Sequence, residues 1–215
     1  MHLLQALQMM QFRFPMPSCP PPRLADQRRE ATARLIHEAA LRLAAERGVE
    51  AVTAEAIAAE AGISPRTFFN YYPFKEAAIM GPPPSFPEPA AEAFATGRGP
   101  LRPALEALLA AHLARLGDRR SLVAQFLAIG PDNPRLMGLR LVALYGRRDA
   151  LAALLARRLP ELPAARRAIL AHAVMAAAGS AVEDWAEGRE DDLVATALAR
   201  LDEVAPAAVL LEDRG

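Results

Sequence analysis

The run from Ser64 to Tyr72, SPRTFFNYY, holds the densest set of side chains able to meet another molecule. Arg66 offers a planar fork of donors that fits the edge of a guanine, Asn70 an amide that fits an adenine edge or a phosphate, and Thr67 a hydroxyl beside a methyl. Phe69 can pack on a thymine methyl or a sugar. Tyr71 and Lys75 follow with a phenol and an ammonium, groups suited to phosphate oxygens. Upstream, Thr53 and the first amides after it make a second anchor for phosphate, because a helix start attracts anions. The bland alternative for each residue is solvated surface or, for the aromatic run, core. Residues 1–80 carry nine Lys/Arg and eight Asp/Glu, so net charge adds no support.

These side chains need elements that aim them. In Arg28–Arg47, Ile36, Ala39, Ala40, Leu43 and Ala44 recur at helical spacing on one face, with Arg34, His37, Glu38, Arg42 and Glu46 opposite. Gly48 before Val49 stops that helix. Thr53 caps a short helix, Ala54–Ala61, with Ile57 and Ala61 inward. Gly62 allows a tight turn that Ile63 plugs. Ser64 as cap and Pro65 as first helical residue open a helix over Pro65–Tyr72 that Pro73 ends. Phe74–Met80 makes a fourth. Two short helices on a tight glycine turn, with a longer helix in front, form a helix-turn-helix whose second helix presents its outer residues to the major groove. Phe68 and Tyr72, four apart, face inward. Arg66, Thr67, Phe69 and Asn70 are left outside.

The chain has 215 residues, zero formal net charge, 53% hydrophobic and 23% charged residues. That suffices for a packed core and gives no apolar run long enough to span a membrane. Lys75 is the sole lysine, against 24 arginines among the 25 basic residues. One cysteine, Cys19, excludes an internal disulfide and a thiolate metal cluster. His2, His37, His112 and His172 are isolated, and GxGxxG, P-loop, GxSxG and HExxH motifs are absent, so neither an enzyme nor a cofactor is expected. No alternating strand pattern occurs, and the fold class expected is all-α. Prolines organise the chain into a tail at 1–22, a helix-turn-helix domain at 23–80, a Pro-rich connector at 81–99 and a second domain at 100–215.

The run VTAEAIAAEAGISPRTFFNYYPFKEAAI, residues 52–79, resembles the DNA-binding signature of the tetracycline-repressor (TetR/AcrR) family. Thr53, Ile57, Ala58, Ala61, Gly62, Ser64, Thr67, Phe69, Tyr71, Tyr72 and Lys75 match in order and spacing. Phe69 stands where tyrosine is common and Tyr72 where phenylalanine is common. The resemblance covers about residues 28–80. It implies a cytoplasmic regulator, most often a ligand-released repressor, that binds a palindromic double-stranded DNA operator as a homodimer. The DNA-binding set it suggests is Thr53, Ser64, Pro65, Arg66, Thr67, Phe69, Asn70, Tyr71 and Lys75.

The second domain reads as a helical bundle over Leu101–Leu116, Ser121–Ile129, Arg135–Leu159, Ala164–Glu187 and Asp192–Val204. Small residues at 173–181 and the stripe Leu193, Val194, Ala197, Leu198 and Leu201 suit close helix approach. The resemblance places the dimer interface on these last two helices. A small apolar effector is expected among the middle helices, with Phe126, Met137, Tyr145, Met175 and Trp185 as lining and His112, His172, Gln125 or Asn133 supplying polarity. An α-helical small-molecule-binding or protein-interaction module without DNA binding remains the alternative.

Overall fold

The computed structural model describes residues 24–82, 85–117 and 119–210, with side chains from residue 28 onward. The expected tail at 1–22, Cys19 included, lies outside the described residues. Every regular element among them is helical: α1 Leu24–Arg47, α2 Ala54–Glu60, α3 Pro65–Tyr71, α4 Lys75–Met80, α5 Glu88–Thr96, α6 Leu101–Leu113, α7 Arg120–Ile129, α8 Pro134–Arg158, α9 Ala164–Ala186, α10 Leu193–Asp202 and α11 Val204–Val209. Single 3-10 turns follow α1 and α6, at Val49–Ala51 and Ala114–Leu116.

Two compact units result. Of the described residues, the first contains those up to 82 together with Gln125–Val142; the second contains those from 85 to 124 together with those from 143 to 210. In the first unit α1 packs on both α2 and α4, and α2 packs on α3. Ile36, Ala39, Ala40, Leu43 and Ala44 are buried as their spacing predicts, and Leu41 joins them with no exposed surface. His37 departs from the expected polar face. Its Nδ1–H donates to the carbonyl of Ala78 at 2.9 Å, which holds the end of α4. Gly81 closes α4 at φ +72°, and a Cβ there would stand 2.7 Å from the His37 ring, so both conformation and space require glycine.

Residues 125–142 join this unit through side chains at the start of α8. The Asn133 amide donates to Glu50 Oε1 at 3.4 Å, while its oxygen accepts from the Leu136 amide at 3.0 Å and so caps α8. Arg135 Nη1 lies 3.3 Å from the buried carboxylate of Glu76, and its guanidinium stacks over the Phe74 ring at 4.7 Å. Contacts between residues so far apart in the chain leave no local signal.

The second unit is a bundle in which α5 packs on α6, α6 on α10 and α9 on α10. Its core joins Phe86, Ala91 and Phe94 to Leu105, Leu108 and Leu109, to Leu151 and Leu155 of α8, and to Val174, Met175 and Ala178 of α9. The helix Glu88–Thr96 lies inside the segment that the sequence reads as a connector. Pro89 falls in the first turn, where a missing N–H costs no hydrogen bond, so the proline cluster starts a helix as well as ending one.

His112 is buried in this unit against the Phe86 ring, 4.8 Å between centroids, and its Nδ1–H donates to the Ser85 carbonyl at 3.3 Å. Burial lowers its pKa to about 4, with Arg147 and Arg115 adding to the effect against the Ser85 bond. The unfolded chain takes up this proton near pH 6.5 and the folded chain only near pH 4. Stability from the neutral ring is therefore full above pH 6.5 and falls as pH drops, by about 3 kcal/mol across that window. Urea melts at pH 7, 5.5 and 4.5 should show this decline, and His112→Leu should flatten it; an equally steep decline in the variant would contradict the assignment.

Candidate nucleic-acid interface

The outer face of α3 is set by how the chain enters it. Thr53 caps α2, its hydroxyl accepting from the Ala56 amide at 3.1 Å. At the other end of α2, the Gly62 amide donates to Ala59 and the Ile63 amide to Ala58, at 3.1 and 2.9 Å. This pair of bonds is the Schellman stop, which needs a left-handed residue, and Gly62 supplies φ +68°. No atom crowds the place of a Cβ at Gly62, so the demand there is conformational alone. Two residues on, Ser64 Oγ accepts from the Thr67 amide at 3.1 Å and Pro65 fills the first turn of α3.

With entry fixed, the helix divides into two faces. Phe68 has no exposed surface and Tyr72, just past the end of α3, is buried. The Tyr72 hydroxyl donates to the Ala33 carbonyl of α1 at 3.0 Å, and burial pushes its phenol above the ordinary range. Opposite them stand Arg66 and Asn70, both exposed, and Phe69, half exposed at 50% and set edge-on to Phe68. Arg66 has no hydrogen bond or ion pair among the described residues. Thr67 is half-buried, and its hydroxyl lies 2.9 Å from Ser64 Oγ, so its oxygen is already engaged at the cap.

Two basic residues flank the far end of α3, and they sit differently. Lys75 Nζ donates to the carbonyls of Val49 and Glu50, at 2.9 and 3.2 Å, tying the start of α4 to the turn before α2. Two of its three N–H groups are thus engaged inside the protein. Arg29, which the sequence pattern does not single out, lays its guanidinium over the Tyr71 ring at 5.1 Å and donates to the Asn70 carbonyl at 3.5 Å. It stands 41 residues from Asn70, so no spacing rule could have found it.

The residues expected to line an effector pocket are distributed differently. Met175 belongs to the core of the second unit. Tyr145 is half exposed beneath the Arg148 guanidinium, 4.8 Å away. Trp185 borders a cleft of about 420 Å3 with Leu113, Leu193, Val194 and Asp192, and Arg120 lies 6.0 Å over its ring. Phe126 and Met137 are half-buried in the first unit. Among the polar candidates, Asn133 has both ends of its amide engaged, His112 bonds Ser85, and His172 bonds the Ala168 carbonyl and faces Arg148. Gln125 Oε1 is buried with no partner among the described residues. The described residues contain no group of His, Cys, Asp or Glu arranged to hold a metal ion. No described helix is long and apolar enough to cross a membrane.

Residues 36–77 match the family described as bacterial regulatory proteins, tetR family. The fold is similar to that of the fatty acid degradation regulator FadR from Bacillus halodurans: TM-score 0.51, 18% identity, 80% of this chain and 94% of that one covered. It is also similar to a tetR-family transcriptional regulator from Streptomyces coelicolor, with TM-score 0.51, 20% identity and coverage of 84% and 82%. No curated protein matches the chain by sequence.

Two substitutions probe how α3 is set. Ser64→Ala removes a cap and should lower stability by about 1 kcal/mol. Gly62→Ala forces a left-handed alanine and should lower it by about 1–2 kcal/mol. Denaturant titration of each variant checks both, and a Gly62→Ala variant as stable as the parent would refute the Schellman assignment.

Proposed function

We propose that this chain, whose residues 36–77 match the tetR family of bacterial regulatory proteins, belongs to that family and is a DNA-binding transcriptional regulator acting as a ligand-released repressor. The observation that carries this reading is the outer face of α3. Arg66 and Asn70 are exposed and Phe69 half exposed there, while Phe68 and Tyr72 anchor the same helix from behind. Arg66 reads a base edge in the major groove, Asn70 a base or a phosphate, and Phe69 a thymine methyl or sugar. Ser64, Pro65 and Thr67 set the angle of entry. Thr53, Tyr71 and the remaining N–H of Lys75 meet the sugar-phosphate backbone.

A seven-residue helix spans few base pairs, so the operator is a palindrome read by two copies. The homodimer forms through α9 and α10. Supporting this, Ile169, Ala176 and Ser180 are exposed along α9, and Gly179 has open space around it. Val194 and Leu198 are only half covered on α10. The effector is a small apolar molecule held in the second domain. Its signal reaches α4 through the first turn of α8, where Arg135 holds Glu76 and Asn133 holds Glu50. An effector that favours a shifted position of this turn changes the spacing of the two reading helices, and operator affinity falls by its differential affinity for the two states.

Gel retardation with the DNA upstream of the protein's own gene tests the proposal. The wild-type chain should retard it in competition with unrelated duplex. Arg66→Ala should weaken binding by about 1–3 kcal/mol and relax preference at one base pair in each half-site. A wild-type chain that retards no duplex would overturn the function, and an unchanged preference in Arg66→Ala would overturn the base-reading role.

A further inference from the structure

A cation from outside the reading helix sits at its far end. Arg29 reaches from α1 across the Tyr71 ring, 5.1 Å from its centroid, and gives one N–H to the Asn70 carbonyl at 3.5 Å. That carbonyl belongs to the last turn of α3, where carbonyls lack helical partners and the dipole favours a cation. A guanidinium has five N–H groups, and only this one has a partner among the described residues. No carboxylate pairs with it there. Its neighbours Asn70 and Tyr71 are both in the set assigned to DNA. Lys75, the other cation at this end, has turned two of its donors to the carbonyls of Val49 and Glu50.

We infer that Arg29 is a further DNA-contact residue, a phosphate ligand that extends the interface from α3 onto α1 and holds Tyr71 beneath it. The planar fork can keep its bond to Asn70 while its free edge grips a phosphate oxygen. The stack fixes the plane of Tyr71 and so the direction of its hydroxyl. The inference rests on α3 being the DNA-reading helix. Because the contact is with phosphate, it adds affinity for every sequence and no base preference.

The test measures binding of the full chain to a short duplex of arbitrary sequence, by fluorescence anisotropy, over a series of salt concentrations. Arg29→Ala should weaken binding to all duplexes alike and reduce the slope of log K against log salt by about 0.9 for each bound protomer. Arg34→Ala serves as the control for lost charge, since Arg34 lies on the same helix and faces Glu38 at 4.0 Å; its slope should stay that of the parent. If Arg29→Ala melts below the parent, Arg29→Gln replaces it, because the amide can still bond the Asn70 carbonyl without carrying charge. A parent that binds duplex and an Arg29 variant with the same slope would overturn this inference and leave the function standing. An equal loss in Arg34→Ala would reduce the effect to net charge and overturn it too. A parent that binds no duplex overturns both.

Discussion

The structure depends on the burial of Phe68 and Tyr72 behind a helix too short to exist alone. Isolated helices below about 12–15 residues are marginal in water, and α3 has seven residues. Its stability comes from a cap at Ser64, a proline in its first turn, Phe68 on its inner face and Tyr72 buried just past its end. Each device also fixes direction. Once Phe68 and Tyr72 are inside, the 3.6-residue period leaves Arg66, Phe69 and Asn70 outside. The buried and the exposed side chains are therefore divided between the two sides of one short element.

The same logic explains why the frame around α3 is rich in polar contacts. The Tyr72 hydroxyl reaches the Ala33 carbonyl, His37 reaches the Ala78 carbonyl, and Lys75 reaches two carbonyls of the turn before α2. Each gives a second donor or a first one to a backbone carbonyl of a neighbouring element, the Ala78 and Val49 carbonyls already accepting from the Gly81 and Val52 amides. These contacts brace α1, α2 and α4 as one body, and the first turn of α8 adds Arg135 and Asn133 to it.

Much of this was legible in the sequence, for local reasons. The caps Thr53 and Ser64, the turn at Gly62, the helix start at Pro65 and the inward stripe of α1 all obey rules that act within a few residues. The all-helical fold followed from periodicity and from the absence of alternation. What escaped the sequence was set by long-range packing. Nothing near Arg29 announces that it covers Tyr71, and nothing near Lys75 announces that its ammonium turns inward. His37 looks like a surface residue until α4 crosses it. The helix Glu88–Thr96 was hidden because prolines signal both the end of one helix and the start of the next. The candidate effector residues were chosen for chemistry alone. Their positions in the fold range from the core site of Met175 to the exposed ring of Tyr145, which composition cannot foresee.

Selection of binding sites from a randomised duplex pool by the full chain bears most directly on the central claim, that α3 is turned outward to read bases in pairs. An inverted repeat whose two half-sites lie about one helical turn apart or a multiple of that should be recovered. Recovery of no common sequence, or of a single site without two-fold symmetry, would contradict it.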